Sequence, residues 1–348
     1  MTSAHLRTAT AAATDVGRRR SGNEDSYDIW VSDGSGAQHA ADTLIVVCDG
    51  MGGSNAGEVA SRMAAETVVR VFSEDTSGDA ARALGRALEI ANDEVHEHGR
   101  SRVDLNGMGT TCTAIALKGD EISFGHVGDS RAYLIRDGRI RQITADHSLV
   151  AQLVARGQIT PAEAKTDPRR NVVTRSVGVG PTVDVDAERM PEPLEIGDTL
   201  LVCSDGLHGQ VTDDELAEMA SGESLERACR ELIALANDRG GPDNITVALA
   251  RLESDDPEDT PRPSRARESE ARASAPRNAA PAAAPAPRKA GGSRQRMLQL
   301  LIVALLVLVL ALCGIAWVVF ARLRAERDPQ ASTDRDTTRS GQESLAWR

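Results

Sequence analysis

Residues 43–53 read TLIVVCDGMGG, an apolar run followed by an acidic, glycine-rich turn. The run at residues 43–48 is continuous, which is typical of a β-strand that is covered on both faces. It ends at Asp49-Gly50, a pair that is common in tight turns. A carboxylate directly after a buried strand costs free energy unless a positive charge meets it. The segment therefore predicts a buried strand that delivers Asp49 to the edge of a sheet.

Around this strand, the predicted helices and strands group by type rather than alternating. Helical periodicity covers residues 54–72, 79–98, 148–165, 213–220 and 223–239. Strand-like runs cover residues 111–117, 121–127, 131–135, 139–143, 198–203 and 244–252. Lys-Gly-Asp and Arg-Asp-Gly turns lie among the first four of these runs, which predicts an antiparallel meander. Grouped strands and grouped helices indicate the α+β class.

Five short segments place acidic residues at the ends of apolar runs or in tight turns. They are Asn23-Glu24-Asp25, Asp49-Gly50-Met51-Gly52-Gly53, Gly128-Asp129-Ser130, Ser204-Asp205-Gly206 and Pro242-Asp243-Asn244. Turn chemistry is sufficient to explain any one of them alone. Together they supply several carboxylates without His or Cys partners, the ligand chemistry that suits Mg²⁺ or Mn²⁺. Two such ions about 3.5–4 Å apart can share a water and lower its pKa, which makes a nucleophile near neutral pH.

Arg20 lies five residues before Asp25 and is the candidate for binding a phosphate. A guanidinium group binds phosphate through two parallel hydrogen bonds, so an arginine beside an acidic metal cluster suits a phosphorylated substrate. Arg18 and Arg19 precede it, and a solvated basic run is an alternative explanation of the same residues.

The order and spacing of these segments resemble the metal-dependent PPM (type 2C) protein phosphatases in their bacterial form. The resemblance rests on RSGNED (20–25), VCDGMGG (47–53), GMGTT (107–111), HVGDSR (126–131), DHS (146–148), TRSVG (174–178), CSDGL (203–207) and GPDNIT (241–246). It covers residues 10–252. It implies a central β-sandwich of two antiparallel sheets flanked by helices on both sides, which makes four layers in the order αββα.

The resemblance also implies a metal centre with two Mn²⁺ or Mg²⁺ ions and a third, weaker one. Asp49 would bridge two ions, and the Gly50 carbonyl would ligate one of them. Asp205 and Asp243 would ligate the first ion. Asp129 would help to bind the third ion, together with Asp205.

Further residues around this centre take roles from the same resemblance. Asp25 belongs with the metal residues and, with Glu24, would hold metal-bound waters. Asn244, like Glu24, would support the metal ligands without binding a metal ion directly. Arg20 would hold the substrate phosphate, and it is the expected catalytic partner of Asp49 and Asp205. Residues 147–173 correspond to a flap segment beside the active site.

One position departs from many eukaryotic members of the family. Met51 stands where those members have a His that is proposed as a general acid, so the leaving group must be protonated from elsewhere. His126 and His147 are nearby in the motifs, but a structural hydrogen-bonding role is the expectation for each.

The implied activity is metal-dependent hydrolysis of phosphoserine and phosphothreonine on proteins, which would reverse membrane-associated Ser/Thr kinase signalling. Such kinases would themselves be among the substrates. Two alternatives are a catalytically silent binding module on the same fold and a phosphatase for small phosphorylated metabolites. The complete set of carboxylates weighs against the first, and a membrane tether weighs against the second.

The charge distribution weighs against a nucleic-acid partner. The net charge is −12, but residues 261–296 carry nine Lys or Arg and two Glu, so the remainder carries −19. Nucleic acids bind basic surfaces, and an acidic domain is unsuited to them. Hydrophobic residues make up 41% of the chain and aromatic residues 2%, so Ala, Val, Leu and Ile must fill the core. The five cysteines contain no CxxC pair and are expected to be buried, reduced thiols.

The composition changes after the expected phosphatase domain, residues 8–253, which we take as monomeric. Residues 254–296 are expected to be a disordered Pro/Ala/Arg-rich linker, residues 297–320 a transmembrane helix and residues 321–348 a short extracytoplasmic tail. A helix over 297–320 is about 36 Å long, enough for a hydrocarbon core of about 30 Å. No apolar segment follows Met1, so we expect a single-pass protein of the cell membrane with its phosphatase domain in the cytoplasm.

Overall fold

A computed structural model describes residues 6–32, 39–52 and 56–254 of the chain. These ranges contain most of the predicted phosphatase domain. The predicted linker beyond Ser254, the membrane span at 297–320 and the tail at 321–348 lie outside the described residues. Within the described ranges, every helix is too short or too polar to span a bilayer.

The helices and strands of the described residues are numbered here in chain order. The strands are β1 (Leu6–Asp15), β2 (Asp25–Val31), β3 (Thr43–Met51), β4 (Gly109–Thr110), β5 (Cys112–Lys118), β6 (Glu121–Val127), β7 (Arg131–Arg136), β8 (Arg139–Gln142), β9 (Asp186–Arg189), β10 (Thr199–Cys203) and β11 (Ile245–Ser254). The helices are α1 (Ala56–Ser73), α2 (Ala80–Ser101), α3 (Leu149–Ala155), α4 (Pro161–Ala164), α5 (Asp205–His208), α6 (Asp213–Ala220) and α7 (Leu225–Asp238). A 3₁₀ turn, Val103–Leu105, follows α2.

The strands form two antiparallel sheets that pack face to face. The first sheet has the order β1-β11-β10-β7-β8. The second has the order β2-β3-β5-β6-β9, and β4 pairs with the end of β3. Helices α1 and α2 pack on the outer face of the second sheet, and α6 and α7 pack on the outer face of the first. The predicted α+β sandwich with helices on both sides is confirmed.

Strand β3 shows why its sequence is apolar without a break. Leu44 and Val46 point to the layer of α1 and α2, whereas Ile45 and Val47 point to the first sheet. All four side chains are fully buried. Because both faces of β3 are covered, both sets of alternating positions must be apolar.

The helices approach the sheets through small side chains. In α1, Ala60 and Ala64 are one turn apart and fully buried. Ala87 and Ala91 have the same spacing and burial in α2. Residues four apart lie on one face of a helix, so these alanines form the surface that meets the second sheet. The expectation that small and aliphatic residues fill the core is confirmed.

The predicted meander is wrong at one connection. Strands β5 and β6 pair in the second sheet, but β7 pairs with β8 and β10 in the first, so the chain changes sheets at residues 128–130. Gly128 has a φ of +117°, and a Cβ there would lie 2.5 Å from the Thr111 side chain. Only glycine fits this crossover. Two hairpins in different sheets have the same sequence pattern as a meander in one sheet, so the pattern does not show where the chain changes sheets.

Other differences arise where the pattern is weak. Strand β1 reads LRTATAAATD and is mostly half-buried, so it lacks the bulky alternation by which strands are recognised. Strands β2 and β9 were also not predicted. The predicted helix at 148–165 is two short helices, α3 and α4, because Gly157 breaks it with a φ of +66°.

Candidate metal and phosphate site

A cleft of about 680 Å³ opens where the strand ends of the two sheets meet. Seven of the predicted site residues line it: Arg20, Glu24, Asp49, Gly50, Asp129, Asp205 and Asp243. Asp25 and Asn244 are not part of the lining and are buried. The crossover between the sheets, the start of α5 and the loop before β11 each bring one carboxylate to this cleft. The structure therefore gathers residues that are far apart in sequence.

Asp25 and Asp49 are direct partners across β2 and β3. Like charges placed opposite each other in a sheet destabilise it, so this pairing needs a compensating charge. Asp25 Oδ2 accepts hydrogen bonds of 2.7 Å from Ser204 Oγ and from Thr246 Oγ1. Its Oδ1 is buried and has no hydrogen-bond partner. One oxygen of Asp25 is thus fixed by hydroxyl groups, and the other is left for a ligand.

Burial and mutual repulsion raise the pKa values of four carboxyl groups around the cleft. Burial is the largest cause in each case. The pKa is raised to about 7 for Asp25, to about 7 for Asp129 and to about 6 for Asp205. The pKa of Asp49 is raised well above its usual value, by burial and then by the charges of Asp25, Asp205, Asp129 and Asp243. A cation bound among these groups would stabilise their ionised forms.

Gly50 lies where no larger residue fits. A Cβ at this position would lie 2.2 Å from the Gly57 carbonyl oxygen and 2.5 Å from the Glu24 carbonyl oxygen. The Gly50 N–H donates to that Glu24 oxygen at 3.1 Å. This close approach holds the loop before β2 against the end of β3, so Glu24 and Asp49 share one wall of the cleft.

Arg20 contacts one of the predicted metal ligands. Its Nη2 donates a 2.7 Å hydrogen bond to Asp243 Oδ2, and this bond raises the pKa of the arginine. Its side chain is 47% exposed at the rim of the cleft. Arg20 therefore supplies a positive charge at Asp243 in this structure.

Asn244 holds the segment that carries Arg20. Its Nδ2 donates to the carbonyl oxygens of Val16 and Gly22, both at 2.9 Å. Its Oδ1 accepts a 2.8 Å hydrogen bond from the Glu24 N–H. The buried amide of Asn244 thus fixes both ends of residues 16–24.

The donor set fits hard divalent cations. In the described part of the chain, no three His, Cys, Asp or Glu side chains are already gathered as a closed metal-ligand group. The carboxylates nevertheless meet at one cleft, and Asp25 Oδ1 is buried without a partner. Oxygen ligands without nitrogen or sulfur favour Mg²⁺ or Mn²⁺ over zinc.

Comparison with known proteins agrees with this chemistry. The family model described as Protein phosphatase 2C matches residues 18–250. The chain belongs to the protein phosphatase 2C family. Protein phosphatase PhpP of Streptococcus pneumoniae is 36% identical over 249 residues, which cover 70% of this chain and 98% of PhpP.

Solved phosphatase 2C structures have the same fold. The S. agalactiae serine/threonine phosphatase matches with a TM-score of 0.65 and 38% identity, covering 71% of this chain and 100% of that one. A PstP catalytic domain solved in complex with two manganese ions matches with a TM-score of 0.61 and 34% identity, covering 72% and 100%. The chain is thus a protein serine/threonine phosphatase, and the alternative of a silent binding module is set aside.

Neither predicted structural histidine lines the cleft of this phosphatase 2C domain. His126 Nδ1 lies 2.9 Å from Thr113 Oγ1, and its Nε2 lies 3.0 Å from the Ala145 carbonyl oxygen. His147 is likewise engaged at both ring nitrogens, with Gly128 N and Asp186 Oδ2. These contacts agree with the hydrogen-bonding roles expected for both residues. Met51 lines the cleft, as expected for the position that departs from eukaryotic phosphatases.

The hydroxyl groups that orient the acids are not predicted by the sequence patterns. Ser204 and Thr246 bind Asp25, and Thr111 Oγ1 accepts a 2.9 Å hydrogen bond from the Asp49 N–H. All three residues lie inside the motifs that carry the phosphatase resemblance. Of the three, Ser204 alone stands directly beside an acidic residue of its motif, Asp205, and offers a local signal.

Proposed function

We propose that this cleft hydrolyses phosphoserine and phosphothreonine on proteins with two divalent cations, Mn²⁺ or Mg²⁺, and a third, weaker one. The observation that carries the proposal is the meeting of Asp49, Asp129, Asp205 and Asp243 in one cleft that Arg20 also lines. When bound, the cations supply Lewis acidity that lowers the pKa of a water and offsets the charge of the phosphate. The manganese-bound relative supports this choice of metal.

The residues of the cleft would have separate roles in holding the ions. Asp49, Asp205, Asp243 and the Gly50 carbonyl would hold the two main ions, and Asp129 would hold the third. Ser204 and Thr246 bind one oxygen of Asp25, and its other oxygen, which is buried without a hydrogen-bond partner, would be available to a metal-bound water. Together these residues hold several carboxylates close to one another in the folded chain, despite the repulsion between their charges.

Arg20 orients the substrate. Its fork-shaped guanidinium would leave Asp243 and bind two phosphate oxygens, since phosphate offers a stronger and bidentate partner. None of the described histidines lines the cleft, and Met51 cannot donate a proton. The proton for the leaving alcohol is therefore assigned to solvent in the open cleft rather than to an imidazole.

A substrate panel tests this proposal. We expect phosphate release from phosphothreonine and phosphoserine peptides in the presence of Mn²⁺, with kcat/KM at least about tenfold higher than for small phosphorylated metabolites. EDTA should abolish release from every substrate. A higher kcat/KM on metabolites than on peptides would support the alternative of a metabolite phosphatase.

The proposal extends to the location of the enzyme. The phosphatase domain is proposed to lie on the cytoplasmic side of the cell membrane, anchored by residues 297–320, with membrane-associated Ser/Thr kinases among its substrates. The sequence supports this location, because residues 297–320 are apolar and the preceding residues 261–296 are basic. A basic segment beside a membrane is attracted to anionic lipids of the inner leaflet.

Labelling in intact cells tests the orientation. A Ser332→Cys variant should react with a membrane-impermeant thiol reagent, because the tail 321–348 is proposed to lie outside. The variant and its control both lack the native cysteines, Cys48, Cys112, Cys203, Cys229 and Cys313, so the added thiol alone can react. Labelling that appears only after lysis, with the full-length chain confirmed in the membrane fraction, would show that the orientation is wrong.

A further inference from the structure

Three histidines hold the crossover that carries Asp129. His147 binds the Gly128 residue twice: its backbone N–H donates to the Gly128 carbonyl oxygen at 2.7 Å, and its Nδ1 accepts from the Gly128 N–H at 3.1 Å. His208 Nε2 lies 3.0 Å from the Asp129 carbonyl oxygen. His126 lies against Thr113, whose hydroxyl donates to the Ser130 carbonyl oxygen at 3.1 Å. The backbone is thus fixed before, at and after Asp129.

The tautomer of His147 follows from these contacts. An imidazole nitrogen that accepts from a backbone N–H carries no proton, so in the neutral ring the proton is on the other nitrogen. His147 Nε2 lies 3.0 Å from Asp186 Oδ2 and 3.2 Å from Arg175 Nη1. Since the arginine cannot accept a hydrogen bond, the Nε2 proton is donated to Asp186. Asp186 is itself held by Arg175 Nη1 at 2.9 Å. This chain of contacts sets which nitrogen of His147 faces Gly128.

The same histidine also meets the flap segment. The Thr174 N–H donates to the His147 carbonyl oxygen at 2.7 Å, and the Leu149 N–H donates to the Val172 carbonyl oxygen at 2.8 Å. Asn171 and Val173, from this segment, line the cleft. His147 therefore connects the sheet crossover to the wall of the cleft that faces the substrate.

His147 cannot act directly on a substrate. Its side chain is 7% exposed, and its ring packs on the His126 ring with centroids 4.6 Å apart. Both of its ring nitrogens are engaged by protein groups. Burial lowers the pKa of the neighbouring His126 to about 4 and that of His208 to about 3. Its effect on the reaction must therefore pass through the residues that it holds.

We propose that His147 is a positioning residue whose Nδ1 fixes the Gly128 peptide and so aims the Asp129 carboxylate into the cleft. The inference rests on the proposed function, because it requires that Asp129 serves the reaction. Gly128 with its φ of +117° has no side chain to limit its rotation. The hydrogen bond from the Gly128 N–H to His147 Nδ1 supplies the restraint on backbone rotation that a side chain would otherwise give.

Two substitutions of the full-length chain separate this role from simple filling of the core. His147→Asn keeps an oxygen near the place of Nδ1 and loses the donor to Asp186. His147→Gln keeps a group near the place of Nε2 and loses the acceptor for the Gly128 N–H. Asn is one methylene smaller than Gln, so a role in filling the core would predict the larger loss in His147→Asn, the opposite of the order expected here.

The expected result is a split between the two variants. His147→Gln should lower kcat/KM by about tenfold, and His147→Asn by clearly less, because a buried N–H left without an acceptor is costly. In an Asp129→Ala background, His147→Gln should cause no further loss, since the carboxylate that it positions is gone. Hydrogen exchange of the Gly128 amide in the metal-free protein should speed up in His147→Gln and less in His147→Asn.

Several results would overturn the inference. A loss in His147→Asn that equals or exceeds that in His147→Gln, or losses that add to that of Asp129→Ala, would assign His147 to the core alone. Unchanged turnover in Asp129→Ala would refute the proposed role of Asp129, and the inference with it. The unsubstituted chain provides a test that needs no variant, because ¹⁵N spectra of labelled histidine should show the His147 proton on Nε2. A proton on Nδ1 would contradict the mechanism.

Discussion

Asp49→Asn is expected to lower phosphate release from a phosphothreonine peptide by roughly three orders of magnitude or more. Asn keeps the shape of the side chain but removes the charge that would bridge the two ions. The same change should raise the melting temperature of the metal-free protein at pH 8. In the folded chain, Asp49 must either ionise against Asp25, Asp205 and Asp129 or take up a proton, and both cost stability.

A loss of activity combined with a rise in melting temperature is specific to a metal site. Asp146→Asn is the control for stability, because Asp146 is largely buried against Arg131 and its pKa is lowered. Removing that charge should lower the melting temperature, since it leaves the guanidinium without its partner. Turnover close to that of the unsubstituted enzyme in Asp49→Asn would eliminate the two-metal mechanism.

The stability of the metal-free phosphatase should fall as the pH rises from about 4 to 8. Folding raises the pKa to about 7 for Asp25 and Asp129 and to about 6 for Asp205, from an ordinary value of 3.8. A carboxyl group whose pKa is raised by folding stabilises the fold while protonated. Its contribution is fully present below the unfolded pKa and is lost as the pH rises through the folded pKa. Mn²⁺ should restore the loss at pH 8, because it binds the ionised forms.

Thermal unfolding in EDTA at constant ionic strength, between pH 4 and 8, measures this effect. Asp25→Asn should flatten the profile, since it removes one of the groups that titrate in this range. Added Mn²⁺ should raise the melting temperature much more at pH 8 than at pH 5. A melting temperature that rises steadily across this range in EDTA would show that the carboxylates of the cleft are not under mutual repulsion.

The sequence predicted the parts of the fold that are set by local patterns. Strand β3 could be recognised because both of its faces are covered, and α2 because its apolar positions repeat with helical spacing. Strand β1 could not, because its alanines and threonines pair along β11 without a bulky alternating face. The sheet change at Gly128 depends on which distant strand β7 joins, and no local pattern carries that information.

The acids of the site could be predicted from the sequence, but their supports could not. Each acid ends an apolar run or lies in a turn, and the order of the motifs resembles one family. The hydroxyl of Thr246 reaches Asp25 only because β11 passes beside β2 in the sandwich, 221 positions along the chain. The Arg20 contact with Asp243 joins residues 223 positions apart. Such pairs depend on tertiary packing rather than on nearby sequence.

The two halves of the acidic cluster belong to different sheets, and this has a consequence for how the protein can evolve. Asp25 and Asp49 lie on the second sheet, whereas Asp205 and Asp243 flank β10 and β11 of the first. Their separation is therefore set by the thickness of the apolar layer between the sheets, where Ile45 and Ile115 pack with Ala248 and Ala250. Selection on catalysis reaches these interior residues as well. A larger side chain on one sheet is tolerated when a smaller side chain faces it on the other sheet. Such positions are therefore expected to change in pairs across a lineage.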